Sequence, residues 1–231
     1  MERTTALVSG GKDSVYSAYL AECQGWPVHE LLVMVPEDPD SWMFHTPNLH
    51  LVRWQATAWG KELRTWPVRA GDSDAETVAL EEALRVGGQG PVSVGAIASS
   101  FQWSRVLRAA DAVGRRIYAP LWRVDPVRVV AEEIAAGLDI RLVQVAAEPL
   151  GADWLGERLD ADRVQRLVGL SRSGPAVHPA GEGGEYETLV VDAPFWHSRL
   201  SIDRARTEWR GGSARWAIEE AHLVPHGTPT R

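Results

Sequence analysis

The chain has one cysteine, Cys23, in 231 residues. A lone thiol excludes an internal disulfide and any cysteine-rich metal or iron–sulfur site. Lysine is almost as scarce: of 24 basic residues, two are lysines, Lys12 and Lys61. Positive charge is short overall, with a formal net charge of −7. Affinity for nucleic acid comes largely from neutralising phosphates, so this balance disfavours nucleic acid as a partner. Arg105, Arg108, Arg115, Arg116, Arg123 and Arg128 are concentrated in one segment and read as solvated helix faces. No apolar run approaches the roughly 18 residues of a membrane-spanning helix, and no amino-terminal signal pattern stands out. The expectation is a soluble cytoplasmic protein with no membrane partner. Repeats and low-complexity linkers are missing as well, which leaves any domain boundary soft.

What is present is ordinary for a folded chain, with 45% hydrophobic and 24% charged residues. One core with a smaller appendage fits this length. TTALVS (4–9), VHELLVMV (28–35), LRTWPV (63–68), PVSVGAIA (91–98) and RRIYAP (115–120) read as strands. Between them, residues 13–25, 48–60, 71–88 and 101–113 have helical spacing. The helix over 71–88 carries an expected capping box, Ser73 with Glu76. Such alternation predicts an α/β fold, a doubly wound parallel sheet of five strands covered on both faces. Past residue 120 the pattern changes. Helices over 126–137 and 160–171 flank a strand over 139–147. From 185 onward EYETLVVDA, FWHSRLSID and ARWAIEEAHLV read as an antiparallel piece, with Gly211 and Gly212 between the last two. The expected division is 1–122, a mixed α+β region over 123–224, and a loose tail over 225–231.

The first strand runs straight into a glycine turn, ALVSGGKDS (6–14). In a doubly wound sheet, ligands bind at the carboxyl ends of strands near the switch in strand order. A glycine-rich turn there, opening a helix, offers backbone N–H groups and a positive helix end to an anion. Phosphate is the first expectation. The common phosphate loop is excluded, because Gly11-Lys12 is followed by Asp13 and Ala6 stands where its first glycine belongs. A strand-to-helix turn with no ligand is the plain alternative.

SGGKDS resembles the pyrophosphate loop of the ATP pyrophosphatase families. Four further stretches resemble one branch, the diphthine–ammonia ligase family: DSWMFHTPN (40–48), VSVGAIASSFQWSRV (92–106), YAPLWRVD (118–125) and GEGGEYETLVVDAPFW (181–196). They follow in the expected order over about residues 4–196. The resemblance implies a HUP-like sheet of the adenine nucleotide alpha hydrolase type. It implies ATP-dependent amidation of diphthine on translation elongation factor 2, with ammonium as nitrogen donor and AMP and pyrophosphate as products.

Site roles follow from the same resemblance. Ser9, Gly10, Gly11, Lys12, Asp13 and Ser14 would cradle the β- and γ-phosphates, with Lys12 and Asp13 catalytic and Asp13 bridging to Mg²⁺. Simple helix capping is the plain alternative for Asp13 and Ser14. Met34 would meet adenine, and Gly95, Ser99 and Ser100 the α-phosphate, although a serine pair at a helix start also serves as a cap. Substrate or ammonia binding falls to Phe44, His45, Thr46, Gln102, Arg105, Glu182, Gly183, Gly184, Glu185 and Glu187. Clustered carboxylates repel unless a cation sits among them. Diphthine carries a trimethylammonium group, and aromatic faces attract such cations, so Trp42, Phe44, Tyr186 and Trp196 are candidates to line its site. Trp103 departs from the family pattern, standing where a basic residue is usual. Rival readings are an ATP pyrophosphatase acting on RNA or another small molecule, and a nucleotide-binding regulator without catalysis.

Overall fold

Five apolar runs in the first half of the chain become parallel strands, because the connections between consecutive ones are long enough to return to the same end of the sheet. The computed structural model describes residues 3–37, 41, 43–44, 48–146, 148–173 and 177–227. It divides into two compact units: 1–9, 13–52 and 61–123 form the first, and 10–12, 53–60 and 124–231 the second.

In the first unit the strands are β1 (Thr4–Leu7), β2 (Val28–Pro36), β3 (Glu62–Val68), β4 (Val92–Val94) and β5 (Ile117–Tyr118). Their order is β3-β2-β1-β4-β5, with every neighbouring pair parallel. This is the expected α/β, HUP-like sheet. Strand order reverses at β1, whose Leu7 pairs with Leu32 on one side and Val94 on the other. The carboxyl ends of β1 and β4 therefore lie side by side at the switch point. Helices α1 (Lys12–Cys23), α3 (Ser73–Val86) and α4 (Ser100–Ala112) follow β1, β3 and β4. Leu32, Met34, Leu80, Leu84, Val92 and Val106 are among the residues of the core.

Two local features differ from the expected ones. The cap of α3 is Asp72, whose carboxylate accepts from the Asp74 and Ala75 N–H groups at 3.1 and 2.9 Å. Ser73 is already inside the helix, and Glu76 instead accepts from Ser41 Oγ at 2.8 Å and the Met43 N–H at 2.9 Å. The fourth strand stops at Val94, four residues short of the apolar run, because Gly95 leaves the sheet to meet α1.

The second unit holds α2 (Val52–Trp59), apart from its first residue, with α5 (Pro126–Ala135) and α6 (Ala161–Ser173). Its strands are β6 (Asp139–Val145), β7 (Tyr186–Asp192), β8 (Ser198–Arg210) and β9 (Ser213–Pro225). They form an antiparallel sheet in the order β7-β6-β9-β8. β8 extends well beyond the expected FWHSRLSID, because the charged stretch after Ile202 pairs with β9 up to Arg210. Among the described residues no helix is long and apolar enough to cross a membrane.

Candidate functional site

The glycine turn leaves β1 and enters α1 at Lys12. Gly10 has a φ of 87°, which any side chain would strain. Its carbonyl accepts from the Val190 N–H at 3.0 Å and from Gln55 Nε2 at 2.9 Å. The same Gln55 nitrogen donates to the Val190 carbonyl at 2.7 Å, and the residue is 2% exposed. Both partners are carbonyls, so the amide can face them only through its NH₂ group. Two residues on, the Lys12 N–H donates to Thr188 Oγ1 at 3.2 Å. Residues 10–12 thus run along β7 within the second unit.

A trans peptide points its carbonyl and its N–H in opposite directions. Fixing the Gly10 carbonyl on Val190 therefore aims the Gly11 N–H away from β7. That N–H and the amino terminus of the twelve-residue α1 give the turn its positive end.

The Lys12 side chain takes a different course from the one expected. Nζ donates to the Ala180 carbonyl at 3.0 Å and lies 3.9 Å from Glu133 Oε2, with the two side chains 1% and 0% exposed. Burying two charges costs several kcal/mol each, and their mutual attraction offsets this only in good geometry. The ammonium is built into the interior of the second unit.

The Ala180 carbonyl belongs to the acidic loop. Glu185 Oε1 accepts from the His178 N–H at 3.0 Å, and Oε2 from the Gly183 N–H at 2.9 Å. The Tyr186 hydroxyl donates to the Pro179 carbonyl at 2.6 Å. Because β7 starts at Tyr186, Glu185 precedes the strand and folds back on its own loop rather than sharing a strand face with Glu187. Its carboxylate keeps lone pairs for a cation, beside the partly exposed Glu182, Gly184 and Glu187 and the exposed Gly183. SGGKDS and the stretch around GEGGEYET, far apart in the sequence, are joined through Lys12–Ala180, Lys12–Thr188 and Gly10–Val190. Two of the aromatic candidates, Tyr186 and Trp196, are buried, and Trp196 packs on Trp59 with ring centroids 6.5 Å apart.

The remaining candidates sit in the first unit. Ser14 Oγ accepts from the Ser9 N–H at 3.3 Å, and Asp13 stands half-buried in the first turn of α1. A β-carbon on Gly95 would lie 2.5 Å from the Ser14 nitrogen and 2.7 Å from the Asp13 oxygen. The end of β4 and the start of α1 touch backbone to backbone. The Met34 side chain is in the core. Leu32 offers its carbonyl to the Val8 N–H at 2.9 Å, and alternate residues of a strand point the same way. Met34 therefore turns its backbone polar groups to the side of β2 that β1 has just vacated. Ser99 is the cap of α4, accepting from the Gln102 N–H at 3.3 Å, with Ser100 exposed beside it. The Gln102 side chain is half-buried. Arg105 turns to α3, donating to Ser73 Oγ at 2.7 Å, with its guanidinium 3.6 Å from the Phe101 ring centroid. Trp103 stacks on Trp122 at 4.6 Å and 15°, which gives the aromatic at this position a packing role. Phe44 packs against the core. His45 and Thr46, like Trp42, lie outside the described residues.

Sequence reasoning missed Gln55, Glu133 and Thr188. A signal existed for two of them. Glu133 falls at helical spacing from buried Val129 and Val130, and Gln55 from buried Leu51, Val52 and Trp59. A polar residue on a buried helix face needs a partner inside.

Residues 2–117 match the Diphthamide synthase N-terminal domain, and residues 125–224 the Diphthamide synthase C-terminal domain. The chain is 31% identical over 223 residues to a diphthine–ammonia ligase of Rattus norvegicus, covering 87% of this chain and 83% of that one. Identity to the diphthine–ammonia ligase of Danio rerio is 33% over 229 residues, covering 89% and 88%. With the diphthine–ammonia ligase of Schizosaccharomyces pombe it is 30% over 221 residues, which is 87% of this chain and 36% of that longer one.

Proposed function

The chain belongs to the diphthamide synthase family, and from that membership we propose that it is an ATP-dependent ligase that amidates the carboxylate of diphthine with ammonium. The acceptor is diphthine on translation elongation factor 2, a protein substrate. A carboxylate is a poor electrophile, so it must first gain a leaving group. One carboxylate oxygen attacks the α-phosphorus of ATP, and the bond to the bridging oxygen breaks to release pyrophosphate. Ammonia, formed when ammonium gives up a proton, then attacks the acyl carbon. AMP leaves with the oxygen it shared, and the nitrogen sheds its surplus proton.

The single observation that carries this reading is the seating of the SGGKDS turn by two hydrogen bonds to β7 and a third from Gln55 on α2. A turn held this way keeps its Gly11 N–H and the α1 amino terminus in place while charge grows on the departing pyrophosphate, and donors of that kind are worth about 3 kcal/mol each. Ser14 and Asp13 extend the same end of α1. Among the described residues no group of three or more metal-binding side chains occurs. Mg²⁺ is commonly held by one or two carboxylates, substrate phosphates and water; here Asp13 would be the carboxylate. Mg²⁺ bound there would neutralise phosphate charge. Met34's backbone serves the adenine edge, and Ser99 and Ser100 stand at a second helix amino terminus suited to the α-phosphate. Glu182, Glu185 and Glu187 serve the cationic substrates, ammonium and the trimethylammonium group.

The test is the identity of the products from ATP and Mg²⁺, with and without ammonium and diphthine-bearing elongation factor 2. AMP and pyrophosphate are expected, with release stimulated by both co-substrates. ADP and orthophosphate, or release indifferent to ammonium, would contradict the proposal.

A further inference from the structure

Gln55 lies in no motif, yet it makes two hydrogen bonds that decide how the glycine turn is presented. Its Nε2 joins the carbonyls of Gly10 and Val190 at 2.9 and 2.7 Å. The Gly10 carbonyl is thereby held by two donors, this amide and the Val190 N–H. A peptide carbonyl with a φ of 87° on its own residue sits where glycine has several conformations open to it. Two donors on one oxygen select one of them. The Gly10–Gly11 peptide plane is then fixed, and with it the direction of the Gly11 N–H.

We propose that Gln55 is the positioning residue of the pyrophosphate turn, acting through the Gly10 carbonyl to aim the Gly11 N–H at the departing phosphates. This rests on the ligase reading for its chemistry, but its geometric half does not. Gln55 touches no reacting atom. It acts at one remove, as an anchor on α2 that ties the turn to the middle of β7.

The consequence is specific to phosphate handling. A misaimed donor weakens a bound pyrophosphate and the transition state that resembles it, and a misplacement near 1 Å costs up to about a hundredfold in rate. Loss of folded protein lowers the maximal rate but leaves an inhibition constant unchanged. Inhibition by added inorganic pyrophosphate therefore separates the two.

The variants are Gln55→Glu, which keeps the shape but faces two carbonyls with an acceptor, and Gln55→Ala, which removes the amide. Leu142→Ala serves as a control that opens a cavity in the same unit, where Leu142 is fully buried. For both Gln55 variants the inhibition constant for pyrophosphate should rise about tenfold, and the rate per folded molecule should fall about ten- to a hundredfold. The control should show neither change. In the protein without nucleotide, amide hydrogen exchange at Val190 should accelerate at least about tenfold in Gln55→Glu. That exchange measurement stands even if the wild-type protein releases no pyrophosphate, an outcome that would sink the ligase reading instead. An unchanged Val190 exchange rate, or an unchanged inhibition constant in an active Gln55→Glu protein, would overturn the inference.

Discussion

At Gly95 a single methyl group has nowhere to go. The β-carbon would press on the Ser14 nitrogen at 2.5 Å and the Asp13 carbonyl carbon at 2.6 Å, both backbone atoms that cannot rotate aside. Gly95→Ala should lower the urea midpoint by an amount equivalent to about 1–3 kcal/mol, as overpacking does, and should impair ATP use by shifting the start of α1. Lys12 and Glu133 make the second residue-scale case. Removing one member of a buried pair leaves the other charge uncompensated and costs about 3–5 kcal/mol. Glu133→Leu and Lys12→Met should each destabilise strongly, while the double variant should lose much less than their sum in a denaturant cycle. Additive losses would mean that the 3.9 Å separation carries no coupling. Of these residues, Lys12 and Gly95 were legible because they lie inside motifs. Glu133 was not, because a glutamate on a buried helix face has no meaning until its partner is known, and that partner is 121 positions away.

Among the elements, α3 shows how a cap is chosen. Asp72 and Ser73 are both good capping residues, and the sequence favours Ser73 because Glu76 completes a box. The folded chain needs Glu76 elsewhere, holding Ser41 and Met43, and Asp72 takes the helix end. Asp72→Ala should cost about 1 kcal/mol in thermal or urea unfolding. Ser73→Ala should act through its lost bond to Arg105 rather than through the helix terminus. A second element-scale test concerns the joint of β1, β2 and β3. Burial pushes the Glu30 carboxyl upward, but hydrogen bonds and charge from Arg64, with Thr5 and Arg115, outweigh it and hold it below the ordinary glutamate value. Arg64 donates to it at 2.7 and 2.8 Å, and Thr5 Oγ1 at 3.1 Å. A depressed carboxyl stabilises the fold above its unfolded pKa, about 4.3, and that contribution is lost as pH falls through the lower folded value. The stability gap between wild type and Glu30→Gln should be constant near neutrality and shrink below about pH 4. A gap that widened on acidification would contradict this sign. Strand lengths were harder to read than strand existence. β4 ends where a backbone approaches it, and β8 continues as a charged ribbon because Arg204 and Arg206 pair with Glu220 and Glu219 across β9 at 2.6 and 3.1 Å. Neither cause is local to its own strand.

For the molecule as a whole, the parallel sheet and its switch point were legible from alternating strands and helices, since period and turn placement are local signals. The compact units do not follow chain order, however: Gly10–Lys12 and Arg53–Gly60 belong with residues 124–231. The reason is the set of long-range bonds made by Gly10, Lys12 and Gln55 to β7, which no window of sequence contains. Those bonds give the proposal its physical basis: a turn seated on the strand that begins at the end of GEGGEYET would hold the part of ATP that leaves as pyrophosphate. The most direct measurement is mass spectrometry of the diphthine-bearing peptide of elongation factor 2 after incubation with this protein, Mg²⁺, ATP and heavy-nitrogen ammonium, alongside the nucleotide products. The account predicts one heavy nitrogen in the peptide for each AMP and pyrophosphate formed. An unmodified peptide with ATP consumed, or products of ADP and orthophosphate, would contradict it.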